Sequence, residues 1–148
     1  YGLRDRIKVI AAGKLITPAE VAWAYCAGAD FGLSARCVWV ALGCIQAMRC
    51  NRNTCPTGIT SHQPQLQRGL DPADVAVRVK NFVDKMRYGV GVIAHSCGAA
   101  HPRALKRYHV HLVQADGSAK PFSDIFPEAE PVGLATPERS QAARDAQA

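Results

Sequence analysis

The sequence predicts an α/β fold in which consecutive strand–helix units build a parallel sheet or barrel. Three observations carry this. Ile7-Lys8-Val9-Ile10-Ala11 is a short apolar run rich in β-branched residues, and Ala29-Asp30-Phe31-Gly32-Leu33 is a second. Between them Thr17-Pro18-Ala19-Glu20 holds the signals that start a helix: an N-cap Thr, Pro at the first helical position and Glu three residues after the cap. The connections are short, and strand, helix, strand, helix in that order is the unit of a parallel sheet or barrel.

Taken in order, residues 7–11 read as a buried strand that ends at Ala12-Gly13-Lys14. The helix after it carries Val21, Ala22, Ala24 and Tyr25 and stops at Gly28, a common C-terminal residue. The second strand, 29–33, ends in Ser34-Ala35-Arg36, and Cys37 to Met48 is expected to form the next helix. In barrels the ligand sites lie at the C-terminal ends of strands, and the last two units commonly hold a phosphate. Gly13, Lys14, Ser34, Ala35 and Arg36 stand at such ends, and Lys14 and Arg36 bring cations to them.

Further along, residues 63–70 read as a polar connection, and Asp71-Pro72 caps a helix whose Val75, Val79, Phe82, Val83 and Met86 form one apolar face. Gly89 and Gly91 are expected to weaken its continuation. Tyr108 to Gln114 alternates as a short strand before Asp116-Gly117, and His109 and His111 would share one of its faces. That face reads as solvated, because no carboxylate sits beside the two rings. His95 and His101 carry no stronger metal signal. From Ala119 the chain is rich in Pro, Ala, Ser and charge, and disorder is expected from about Thr136. The division read from this pattern is 1–60, 61–118 and 119–148. No internal repeat is found.

Composition excludes several classes. With 148 residues, 48% of them hydrophobic and 20% charged, the chain is an ordinary soluble globular sequence. It has no run of membrane-spanning length and no signal-peptide pattern. It begins at Tyr1 without Met and leads straight into a strand, so it is read as a segment of something larger. Six cysteines as three disulfides would belong to a short, loop-rich secreted chain; a reduced, cytoplasmic setting fits better. The net charge of +6 is spread over scattered Lys and Arg with only 7% aromatic residues, which argues for a solvated surface and an anionic cofactor rather than nucleic acid.

Chemistry concentrates in Cys44, Cys50 and Cys55, spaced C-x5-C-x4-C with Pro56 immediately after. Thiolates are soft ligands that select zinc, copper(I) or iron–sulfur clusters. Structural zinc usually takes four ligands in two close pairs, whereas this stretch has three cysteines and no C-x2-C. Residues six apart on a helix point about 240° away from each other, so Cys44 and Cys50 converge only if a helix ends near Arg49 and residues 51–54 turn the chain back. Spacing alone leaves an iron–sulfur site, zinc and inert buried thiols open. Cys26 reads as a small buried hydrophobe, and Cys37 and Cys97 as packing near the site rather than as a fourth ligand.

Gly43-Cys44-Ile45, Cys50-Asn51 and Asn53-Thr54-Cys55-Pro56-Thr57-Gly58 together resemble the cluster segment of the FMN-dependent glutamate synthase family. The resemblance covers roughly residues 3 to 110. It implies that Cys44, Cys50 and Cys55 hold a three-iron, four-sulfur cluster in preference to a four-iron one. It also implies that residues 7–28 and 29 onward are the last two β/α units of a TIM-type (β/α)8 barrel, followed by the iron–sulfur loop and a helical C-terminal extension. Gly13, Lys14, Ser34, Ala35 and Arg36 would then contact FMN. Familiar bacterial members carry Asp-Gly-Gly and a Gly-rich turn at the two strand ends, where this chain has Ala12-Gly13-Lys14 and Leu33-Ser34-Ala35-Arg36. That departure fits the shorter glutamate-synthase-like FMN proteins better than the large multidomain enzyme.

In the family, ferredoxin or a pyridine-nucleotide-dependent small subunit donates electrons. They pass through the cluster to FMN, and 2-iminoglutarate, made from 2-oxoglutarate and glutamine-derived ammonia, becomes glutamate. The resemblance therefore implies an oxidoreductase whose remaining substrate contacts come from the upstream part of the same barrel. Two other readings stay open at this point: an iron–sulfur electron-transfer module without flavin, and a subunit of another amino-transfer enzyme such as N-methylglutamate synthase.

Overall fold

The computed structural model describes residues 3, 4 and 6–128. Strands β1 (Ile10–Ala12) and β2 (Phe31–Leu33) pair in parallel, with Ile10 opposite Phe31 and Ala12 opposite Leu33. Helix α1 (Pro18–Cys26) is the crossover between them. Its start obeys the capping box: the Thr17 hydroxyl accepts from the Glu20 N–H, and the Glu20 carboxylate accepts from the Thr17 N–H at 2.7 Å. Both strands are shorter than expected, for a local reason. The Asp30 carboxylate accepts the Val9 N–H at 2.8 Å and pairs with Arg4 at 2.9 Å, so a side chain stands where the ladder would continue. Those contacts, the Val9 N–H first, hold the Asp30 carboxyl below its ordinary range.

Helix α2 (Arg36–Ala41) is the first correction, because the expected helix to Met48 stops at Ala41. Gly43 adopts φ +104, its N–H bonds to the Val40 carbonyl, and the Cys44 N–H reaches back to Trp39 at 2.9 Å. This paired closure is the Schellman ending, in which a left-handed residue lets the last carbonyls be satisfied. Gly28 and Gly98 close the other two long helices in the same way. Cys44 therefore leaves the helix altogether, and helical angles do not govern where it points.

A short helix, α3 (Pro64–Gln67), forms within the polar connection. Helix α4 (Pro72–Ser96) comes next, and the Asp71 side chain caps it by accepting from the Ala73 N–H at 3.0 Å. Here too the expectation is corrected: α4 runs through Gly89 and Gly91 without a break. The propensity cost of a glycine, about 1 kcal/mol, is outweighed by packing. A Cβ on Gly89 would lie 2.6 Å from Pro18 Cγ and 2.9 Å from Pro18 Cβ, so the glycine lets α1 and α4 approach closely. Ala22, Cys26, Ala94, Ala99 and Leu105 form the core cluster at this junction, with Tyr25, Ile93 and Val110 packed against it.

Gly89→Ala is accordingly expected to destabilise the chain. The gain in helix propensity is about 1 kcal/mol, while forcing a methyl into a rigid proline ring costs about 1–3 kcal/mol. Urea unfolding should give a lower midpoint at an unchanged slope; a raised midpoint would show that the two helices separate without cost.

Beyond α4, 3-10 turns at Pro102–Ala104 and Arg107–His109 lead to β3 (His111–Val113). The expected strand from Tyr108 is thus shorter, and His109 does not share a face with His111. Instead its ring turns back, with Nδ1 accepting the Lys106 N–H at 2.8 Å. β3 pairs antiparallel with β4 (Ala119–Pro121), and α5 (Phe122–Ile125) continues directly from it. Order therefore extends past residue 118, because Phe122 is buried within 6.2 Å of the Trp23 ring and Arg107 donates to the carbonyls of Phe126 and Pro127. The expected disorder from about Thr136 lies outside the described residues. Among the described residues no helix is long and apolar enough to cross a membrane.

Candidate functional site

Parallel pairing brings the ends of β1 and β2 to one edge, and with them the two turns read from the sequence. Gly13 and Lys14 both take left-handed backbone, φ +119 and +50, and both are exposed. Ala35 and Arg36, at the start of α2, are exposed as well. Among the described residues neither Lys14 nor Arg36 forms an ion pair, so both charges face outward at this edge.

Ser34 behaves differently. Its hydroxyl donates to the Leu15 carbonyl and lies 2.7 Å from the Cys37 sulfur, itself 3.6 Å from the same carbonyl. Ser34 and the buried Cys37 thus clasp the second turn to the first, a positioning role that sequence alone did not reveal. Behind the clasp a cleft of ≈ 910 Å³ opens toward α4, bordered by Tyr25, His95 and His101 among others. Arg103, whose guanidinium stacks over the Phe31 ring at 4.8 Å, also borders it. No local signal marked Arg103, since its partner lies far earlier in the chain.

The cysteine loop begins where α2 closes. Cys44 is half-buried, and its sulfur accepts the Gln46 N–H at 3.4 Å. Gln46, Met48 and Asn53 have φ of 57, 55 and 57°, so the backbone winds tightly past the exposed Cys50. Asn53 then ties the loop to the segment leading into α3. Its side chain accepts the His62 N–H at 2.6 Å, and its carbonyl accepts from the buried Ser61 hydroxyl and the Gln63 amide, each at 2.9 Å.

Cys55 is buried, with its sulfur 3.2 Å from the Thr57 hydroxyl. That hydroxyl first, and the Thr60 N–H second, bring its thiol down to about 6. The hydroxyl of Thr60 is itself buried without a hydrogen-bond partner among the described residues.

These donors suit a soft metal or cluster. Two of the three sulfurs receive hydrogen bonds of the kind that stabilise cluster thiolates, and all three thiols are unpaired. Their positions do not close a shell: among the described residues no three of His, Cys, Asp or Glu stand together as a metal-binding group. The loop supplies the ligand chemistry on a backbone whose Cys50 turn is separate from buried Cys55.

Comparison with known proteins places these features. A profile described as a conserved region in glutamate synthase matches residues 1–100. A glutamate synthase large subunit-like protein, YerD, from Bacillus subtilis (strain 168) is 40% identical over 118 residues, 80% of this chain and 22% of its own length. An archaeal glutamate synthase [NADPH] from Methanocaldococcus jannaschii is 34% identical over 97 residues, 66% of this chain and 19% of that protein. No solved structure matches. This chain thus spans about a fifth of the length of these relatives. With both the strand-end turns and the cysteine loop inside the matched residues, the chain belongs to the glutamate synthase family.

Proposed function

We propose that this chain is the flavin-phosphate and iron–sulfur part of a glutamate-synthase-like oxidoreductase, its two strands being the last two of a (β/α)8 barrel. The observation that carries the reading is the parallel pair with both strand-end turns on one edge, followed directly by the C-x5-C-x4-C loop. Strand exposure supports it: parallel sheets are normally covered on both faces, yet Ile10 and Leu33 are 64% and 60% exposed. Upstream β/α units of the same barrel would cover them.

When bound, FMN supplies hydride transfer to 2-iminoglutarate, and the cluster supplies one-electron relay from a ferredoxin or a pyridine-nucleotide-dependent partner. The chain's own residues do the holding. Gly13 lets the backbone approach an anion, Lys14 and Arg36 offer charge to it, and Ser34 with Cys37 keeps the two turns in register. Cys44, Cys50 and Cys55 would hold the cluster, with the Thr57 and Thr60 donors favouring the thiolate form of Cys55. A cytoplasmic setting accords with a cysteine pattern that is not the disulfide framework of a short, loop-rich secreted chain.

Flavin titration of the full-length apoprotein tests this reading. Arg36→Ala removes a planar fork of donors matched to phosphate oxygens. A charged hydrogen bond contributes about 1.5–3 kcal/mol, so the FMN dissociation constant is expected to rise about ten- to hundred-fold while iron and sulfide stay unchanged. Equal affinities would move the phosphate contact to Lys14 or to backbone amides. A wild-type protein that takes up no FMN would overturn the flavin reading and favour a plain electron-transfer module.

A further inference from the structure

We infer that Cys26 and Cys97 form a thiol pair placed for reversible oxidation to a disulfide joining the ends of α1 and α4. The pair is independent of the flavin and cluster reading and uses none of the three loop cysteines.

Packing of the two helices carries the inference. Pro18, at the start of α1, meets α4 at Gly89. Cys26, at the end of α1, shares the core cluster with Ala94 and Ala99, at the end of α4. The helices therefore run in the same direction. From the Pro18–Gly89 contact, eight residues along α1 reach Cys26 and eight along α4 reach Cys97, about 12 Å in each case. Cys26 packs with Ala94 and Ala99, which bracket Cys97 in the chain, so the cap of α4 holds Cys97 beside the end of α1.

Distance allows the bond. Packed helices lie about 8–10 Å apart with Cα atoms on a radius of about 2.3 Å. Facing Cα atoms of two helices packed in this way stand about 3.4–5.4 Å apart, a range that overlaps the usual disulfide separations. Nearness also registers in the chemistry of Cys26, whose thiol is pushed up to about 11 by burial first and by Cys97 second.

The two thiols have unequal access, which sets their roles. Cys97 is exposed at the cap of α4, whereas Cys26 is only 4% exposed. With hydrogen peroxide as oxidant, the Cys97 sulfur attacks a peroxide oxygen; the S–O bond forms, the O–O bond breaks, and hydroxide leaves with the thiol proton as water. The Cys26 sulfur then attacks the sulfenic sulfur of Cys97. The S–S bond forms, the S–O bond breaks, and a second water departs carrying the Cys26 proton. Two thiols lose two electrons and peroxide gains them. The resulting cross-link spans the segment that holds Cys44, Cys50 and Cys55, tying the helix ends on either side of that loop.

Tryptic mapping of the full-length protein is decisive, because the fragments 15–36 and 88–103 each contain one cysteine. After peroxide treatment, acid quench and alkylation under denaturing conditions, a species joining these two fragments is expected, released by dithiothreitol and absent from Cys97→Ser and Cys26→Ala proteins. The inference is overturned if both fragments are recovered alkylated, if Cys97 is found as sulfinic acid beside intact Cys26, or if Cys97 is joined to a different cysteine.

Discussion

Serine in place of Cys44, Cys50 or Cys55 is expected to remove the cluster from the full-length protein, taking both iron and acid-labile sulfide to near background after anaerobic reconstitution. Serine keeps the size of the side chain but offers a hard, high-pKa hydroxyl where a soft thiolate is needed. The effect should be all-or-none at each position, since a cluster cannot trade one missing thiolate for another when no other cysteine lies on this loop. Cys37→Ser is the matched control. Its sulfur bonds Ser34 and the Leu15 carbonyl, a role a hydroxyl can fill, so iron and sulfide should persist. Zinc without sulfide in the wild type, or a cluster that survives loss of Cys50, would sink the assignment.

How much of this was legible in the sequence depends on the range of the interaction. Local rules worked: the Thr17–Glu20 box, the Asp71 cap and the stop at Gly28 appear where the residues predict them. Gly43 carried the same signal as Gly28, yet the stretch from Cys37 to Met48 reads as one uninterrupted helix. Reading Gly43 as a left-handed cap would have freed Cys44 from the helix at once.

Tertiary partners were not legible. Gly89 looks like a helix breaker until the Pro18 ring is seen against α4, and the β3–β4 hairpin continues past residue 118 because Phe122 finds Trp23. At the site, the cysteine spacing was visible at once, and so were the strand-end cations. That Ser34 is engaged by Leu15 and Cys37, leaving Arg36 and Lys14 as the outward-facing donors, depends on a contact between turns that only folding creates.

Gly58→Ala should produce the other large loss, without touching a ligand. Gly58 is buried, lies three residues after Cys55 and takes φ +76, a conformation that costs an L-residue about 1–2 kcal/mol. Space is the larger difficulty. A Cβ there would run into the Leu66 carbonyl oxygen and stand 2.8 Å from Gln67 Cα, both backbone atoms of α3 that cannot rotate aside. Overpacking of this kind costs about 1–3 kcal/mol, so with the left-handed penalty the total is about 2–5 kcal/mol, concentrated where the loop docks on α3. Relief requires the loop to lift, and lifting disturbs the Thr57 and Thr60 donors on Cys55 together with the Ser61 bond to Asn53. The variant should therefore retain all three cysteines yet bind less iron and sulfide, and melt at a lower temperature. Gly69→Ala provides the contrast, because nothing lies within 4 Å of its Cβ position and its φ is not left-handed. Wild-type iron content and melting in Gly58→Ala would show that the loop reaches its ligand geometry without resting on α3.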